Sequence, residues 1–118
     1  MHDIHSFKDL IVWQRSMELA KQVYVLCRSL PKEEQFGLIA QMRRCAVSIP
    51  SNIAEGYQRR SRLDYGRFLK IADGSCSELE TQLLLSKSIY PQIVIEKASS
   101  DLTEVQKMLY CMITKLSN

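Results

Sequence analysis

The sequence predicts an all-α protein, an antiparallel up-down-up-down four-helix bundle with long helices. Apolar residues recur at alternating steps of three and four along most of the chain, the rhythm of helices packed nearly parallel to one another. Only four Gly and three Pro occur in 118 residues, so few turns are available. The breaks between rhythmic segments are short, which makes consecutive helices antiparallel neighbours. Hydrophobic residues at 46% and charged residues at 25% are ordinary globular values, and the length suits a single domain over residues 1–118 with a short lead at 1–7.

The first helix is expected to begin near Ser6 or Asp9, either of which can act as an N-cap. Its seam reads Leu10, Trp13, Met17, Ala20, Tyr24 and Cys27, with a second row, Leu19, Val23, Leu26 and Leu30, beside it. Two apolar rows exceed what one neighbour covers, which suits a bundle interior with or without a subunit contact. Pro31 disfavours helical geometry at Leu30 and can open the second helix, whose first turn would then hold Glu33 and Glu34.

Leu38, Met42, Cys45 and Ile49 continue the rhythm in the second helix, and Ala40, Val47 and Ala54 recur every seven residues. Pro50 lies inside this register. A helix-interior proline costs about 3 kcal/mol and frees the carbonyl four residues back. The helix either stops near Ser48 and restarts at Asn52, with Glu55 completing a capping box, or continues with a kink. The unbroken register from Leu38 to Tyr57 favours the kinked helix.

Ser61 can cap the third helix, with Asp64 three residues on. That helix has the cleanest seam: Tyr65, Leu69, Ala72, Cys76, Leu79, Leu83, Ser86 and Tyr90. Gly74 in its middle is expected to admit a closely approaching backbone, since a helical glycine costs about 1 kcal/mol against alanine. Tyr90-Pro91-Gln92 closes the helix. The fourth carries Ile95, Ala98, Leu102, Val105, Leu109, Met112 and Leu116. Helices of roughly 20–29 residues make a rod about 30–43 Å long.

Several function classes are disfavoured by what the chain lacks. No apolar run approaches the roughly 20 residues that span a bilayer, and Met1–Ser6 has no signal-peptide character, so a cytoplasmic location without membrane association is expected. Cys27, Cys45, Cys76 and Cys111 fall one to a segment without zinc-type spacing and are expected to be buried, inert thiols. His2 and His5, in the lead, are the sole histidines, which removes the Glu-x-x-His pairs of a di-iron bundle and any base for Ser48 or Ser51. Glu78 and Glu80, two apart, do not share a helical face. Trp13, Tyr24, Phe36 and Phe68 are expected in the core. No catalytic residue, metal or cofactor is predicted, and the protein is expected not to be an enzyme.

Charge is distributed unevenly. From Gln41 to Lys70 seven basic residues face two acidic ones, so this stretch carries +5 and the remainder −2 of the total +3. Arg59, Arg60 and Arg62 stand at the turn between the second and third helices, and a positive field is expected at that end of the bundle. Arg43, Arg59, Arg60, Arg62, Arg67 and Lys70 are the candidate contacts to RNA or DNA backbone, with Tyr57 and Tyr65 as stacking partners. The plainer alternative is a solvated, arginine-rich loop, because no groove-reading motif accompanies the charges.

Four stretches also carry a family resemblance: Phe7-Lys8-Asp9-Leu10-Ile11-Val12-Trp13-Gln14; Gln41-Met42-Arg43-Arg44-Cys45-Ala46-Val47-Ser48-Ile49-Pro50-Ser51-Asn52-Ile53-Ala54-Glu55-Gly56; Phe68 to Ser75; and Glu78-Leu79-Glu80. Together they resemble the four-helix bundle proteins encoded in intervening sequences of bacterial 23S ribosomal RNA genes. The resemblance covers nearly the whole chain. It implies an antiparallel bundle assembling into a homopentamer, without catalytic activity. It further implies a distant relation to the accessory variability determinant of diversity-generating retroelements, which binds nucleic acid and a reverse transcriptase. By that analogy the partners are further copies of the chain, RNA or DNA, or a protein that the bundle scaffolds. The motif's polar positions, Arg44, Ser48, Asn52, Glu55, Ser75 and Glu78, with Gly74 beside them, are read as a network between the second and third helices or as a subunit contact.

Overall fold

The computed structural model describes residues 3–117. A 3-10 turn, Phe7–Asp9, leads into α1 (Ile11–Cys27); a second, Lys32–Glu34, precedes α2 (Leu38–Gln58); α3 (Arg62–Ile89) and α4 (Glu96–Ser117) follow. Among the described residues there is no strand. Each helix packs on the next and α1 also packs on α4, closing the four around one core. The longest dimension is 43 Å, the length of the 28-residue α3. Met42, near the start of α2, meets Ser86 near the end of α3, while Gly56 near the end of α2 lies against Tyr65 and Phe68 at the start of α3. Arg62, opening α3, reaches the carbonyls of Lys115 and Leu116, closing α4. Both pairs of helices are therefore antiparallel.

The seams of α3 and α4 are where the rhythm places them, with Leu69, Ala72, Cys76, Leu79 and Leu83 of α3 and Leu102, Val105 and Leu109 of α4 almost fully buried. On α1 the burial falls on the other row. Val12, Ser16, Leu19, Val23 and Leu26, with Leu30 just beyond the helix, face the core; of the first row Cys27 is buried, Trp13, Met17 and Ala20 are half-buried and Tyr24 is exposed. Ser16 explains the misreading: it interrupts the inward row with a polar residue, yet its hydroxyl donates to the Trp13 carbonyl at 2.8 Å and so is satisfied inside its own helix.

The helix starts need correction. Ser6 and Asp9 form a capping box, but around the 3-10 turn, and α1 begins only after Leu10 turns to extended geometry. Pro31 opens the second 3-10 turn instead of α2, so Glu33 and Glu34 lie ahead of that helix. Glu34 still serves it. Its Oε1 accepts from the Leu38 amide at 3.2 Å, and its Oε2 accepts from the Tyr90 hydroxyl at 2.5 Å. That bond to a carboxylate, with burial second, pushes the Tyr90 phenol up to about 12. Phe36, expected in the core, is 89% exposed, because the residues after the turn stay outside any helix.

α2 runs unbroken through Pro50, the continuous arrangement that its register favours over a stop at Ser48. Ser61 caps α3 as expected, accepting from the Asp64 amide at 3.2 Å. Gly74 does not admit a neighbour: a Cβ there would meet nothing within 4 Å. The close approach is at Gly56, where a Cβ would stand 2.7 Å from the Phe68 Cβ and 3.2 Å from Tyr65 Cδ1. α2 and α3 approach closely just before the turn that joins them.

Candidate functional site

The turn at Gln58–Ser61 brings a basic cluster to one end of the bundle. Arg60 takes a left-handed backbone conformation (φ 60°), unusual for a non-glycine residue, and its exposed side chain has no partner among the described residues. Arg59 and Arg67 bracket the Phe68 ring, each guanidinium 5.0 Å from its centroid. Each also reaches an acid on its own helix, Arg59 to Glu55 at 2.8 Å and Arg67 to Asp64 at 3.2 Å. Both pairs are solvent-exposed and weak enough to exchange for a phosphate. Lys70 is exposed one turn further along α3.

Arg62 has a different occupation. Its Nε and Nη2 donate to the carbonyls of Leu116 (3.2 Å) and Lys115 (2.5 Å), holding the last turn of α4. Lys115 thereby joins the basic end, a residue that reading the chain helix by helix passed over; antiparallel pairing of α3 and α4 is the signal that finds it. Arg43 does not join. It lies sixteen residues before Arg59 on α2, about 24 Å along the axis, with its guanidinium 4.7 Å from the Tyr24 ring centroid. Tyr57 and Tyr65 pack edge to face on each other at 6.1 Å, and the Tyr65 hydroxyl is buried, which raises its pKa. Both residues are half-buried, so neither ring is freely presented for stacking.

The polar positions of α2 and α3 form a smaller network than expected. Ser48 and Ser75 share a hydrogen bond of 2.9 Å, the Asn52 amide donates to the Ser48 carbonyl (2.8 Å) and hydroxyl (3.0 Å), and the Cys45 thiol donates to the Ser75 carbonyl at 3.0 Å. Glu55 belongs to Arg59 and Gly74 is outside. Arg44 and Glu78 rise on either side of this network, on α2 and α3, and line the cleft above it.

Burial pushes the Cys45 thiol up to about 11, with Glu78 adding to it, and the Cys76 thiol to about 12, helped by Asp73. Cys27 is raised by burial against the opposing pull of Arg43. Cys111, expected to be buried like the others, is exposed on α4, because its position lies outside that helix's inward row. No group of three metal-ligating side chains occurs among the described residues. His2 lies outside them.

A broad apolar groove of about 800 Å³ runs between α1 and α2, lined by Trp13, Met17, Tyr24, Val47, Pro50 and Ala54. Apart from the buried Pro50, these are residues of the α1 row and the α2 heptad row that the core does not use. Among the described residues no helix is long and apolar enough to cross a membrane.

Comparison with known proteins agrees with this architecture. Residues 8–111 match the family described as 23S rRNA-intervening sequence protein. A solved structure from Bacteroides thetaiotaomicron, a protein of unknown function from the S23 ribosomal protein family, is 32% identical. It superposes with a TM-score of 0.77 over 88% of this chain and 96% of its own. No curated protein matches.

Proposed function

Because this chain belongs to the 23S rRNA-intervening sequence protein family, we propose that it is a cytoplasmic, non-enzymatic bundle that assembles with copies of itself and binds the backbone of RNA or DNA at the α2–α3 turn. The observation that carries this reading is the juxtaposition of Arg59, Arg60, Arg67 and Lys70 around one exposed turn, with Lys115 brought beside it. Arg60 is unpartnered among the described residues and the pairs of Arg59 and Arg67 are exchangeable, so a phosphate chain meets little competition. Arg62 supports the turn, and Arg43 is left out of the surface.

The assembly follows from the apolar surface left over. The α1–α2 groove is concave, whereas Leu84, Leu85 and Ile89 stand exposed on α3 and Phe36 projects from the turn before α2. Unlike surfaces on different faces mate head to tail, and such contacts close into rings when the rotation permits. A ring of five, as the family resemblance implies, repeats the basic turn into a continuous face.

Fluorescence anisotropy with RNA and DNA oligonucleotides across a salt series tests the binding. The logarithm of affinity is expected to fall linearly with that of salt. Arg60→Ala with Arg67→Ala and Lys70→Ala should make that slope shallower by about 0.7–0.9 for each phosphate the protein no longer neutralises. No binding at low salt, or an unchanged slope, overturns it. The groove favours a second reading, an adaptor that scaffolds a protein partner, such as a reverse transcriptase, without nucleic-acid contact. That reading too rests on an oligomer, so a wild type that sediments as a strict monomer overturns it.

A further inference from the structure

The cleft between α2 and α3 holds polar groups that the bundle's own packing leaves without partners. It encloses about 330 Å³, at the small end of ligand sites, which run from roughly 300 to 1,000 Å³. Its floor is the bonded pair Ser48 and Ser75, with the Cys45 thiol tied to the Ser75 carbonyl. Its walls carry charges of opposite sign, Arg44 from α2 and Glu78 from α3, and no ion pair joins them or engages either with another described residue. Gln82, also lining the cleft, holds a buried side-chain oxygen with no hydrogen-bond partner. Buried polar atoms of native proteins are nearly always satisfied, so an orphan beside an open cleft points to a group that comes from outside.

We propose that this cleft binds a small zwitterion of the free amino-acid class, with its carboxylate on Arg44 and its ammonium group between Glu78 and the Gln82 carbonyl oxygen. The sign of each wall selects the class. A phosphate or simple carboxylate would be repelled by Glu78, and a bare cation by Arg44; a molecule with both charges a few bonds apart satisfies both walls. A planar guanidinium forks onto a carboxylate with two parallel bonds, and an ammonium group supplies the three donors that a carboxylate and an amide oxygen accept. The site is independent of the basic turn and of the nucleic-acid reading.

Isothermal titration of the protein with each of the common free amino acids, alongside their N-acetyl and C-amide forms, tests the proposal. At least one free amino acid is expected to bind in the micromolar to millimolar range, with both blocked forms failing. Arg44→Gln and Glu78→Gln are each expected to weaken it about tenfold or more, since each removes a charge-assisted hydrogen bond. Both side chains are exposed, so circular dichroism should find the fold unchanged. Three results overturn the proposal: no heat from any amino acid at millimolar concentration, equal binding of blocked and free forms, or affinity indifferent to both substitutions. Loss of self-association in Arg44→Gln or Glu78→Gln without amino-acid binding by the wild type also overturns it, and assigns the two charges to a subunit contact.

Discussion

Replacing Gly56 and Gly74 by alanine, one at a time, sets the packing of α2 on α3 against intrinsic helix preference. Both glycines are interior to helices, so each substitution gains the same backbone term, about 1 kcal/mol. At Gly74 nothing opposes it, because the new methyl meets no atom within 4 Å, and the variant is expected to be stabilised by that amount. At Gly56 the methyl would stand 2.7 Å from the Phe68 Cβ, an atom at the root of its side chain that cannot swing away without moving α3. Overpacking of this kind costs about 1–3 kcal/mol. The difference between the two variants therefore isolates the overpacking cost, and Gly56→Ala should be the less stable by about 1–3 kcal/mol. Urea unfolding at one protein concentration, with an unchanged m-value, measures it. A Gly56→Ala protein as stable as Gly74→Ala would refute the close approach of α2 and α3 at this point.

Three further outcomes follow from the same geometry. Ser48→Ala or Ser75→Ala should each cost about 0.5–1.5 kcal/mol, and the double variant less than their sum, because it leaves no hydroxyl unpaired; a double-mutant cycle that adds would deny the bond. Among the thiols, Cys111, the exposed one, should react with iodoacetamide in the native protein, while the buried Cys27, Cys45 and Cys76 wait for urea, read by mass spectrometry. Stability should decline at alkaline pH. Burial raises the folded-state values of Cys45 and Cys76 to about 11 and about 12 from the ordinary 9.0, so above pH 9 the native chain keeps protons that the unfolded chain releases. Their stabilising contribution is whole below about pH 9 and drains away as the pH climbs toward about 12, and an unfolding midpoint that is flat from about pH 8 to 11 would contradict it.

How much of this was legible in the sequence depended on whether a residue's role is settled by its own helix. The seams of α3 and α4 were, because every inward position there is apolar or small. α1 was not, since a locally satisfied serine in the inward row made the outward row through Trp13 look richer. The starts of α1 and α2 were hidden because Ser6, Asp9, Pro31 and Glu34 carry real capping chemistry but spend it on 3-10 turns. Choosing between Gly56 and Gly74 required knowing where two helices converge, which no single-helix pattern contains. The basic turn was readable as composition. That Arg62 is committed to α4, and that Arg43 lies far along α2 against Tyr24, depends on packing across more than fifty residues in the first case and between two helices in the second.

The hold of Arg62 on the last turn of α4 has a practical corollary. Ile4 and Met112 line one shallow apolar hollow, so both lie toward the end of the rod that carries the arginines. A fluorophore on exposed Ser117 would ride on the turn that Arg62 grips, and would report by its anisotropy on whatever occupies Arg59 to Arg67.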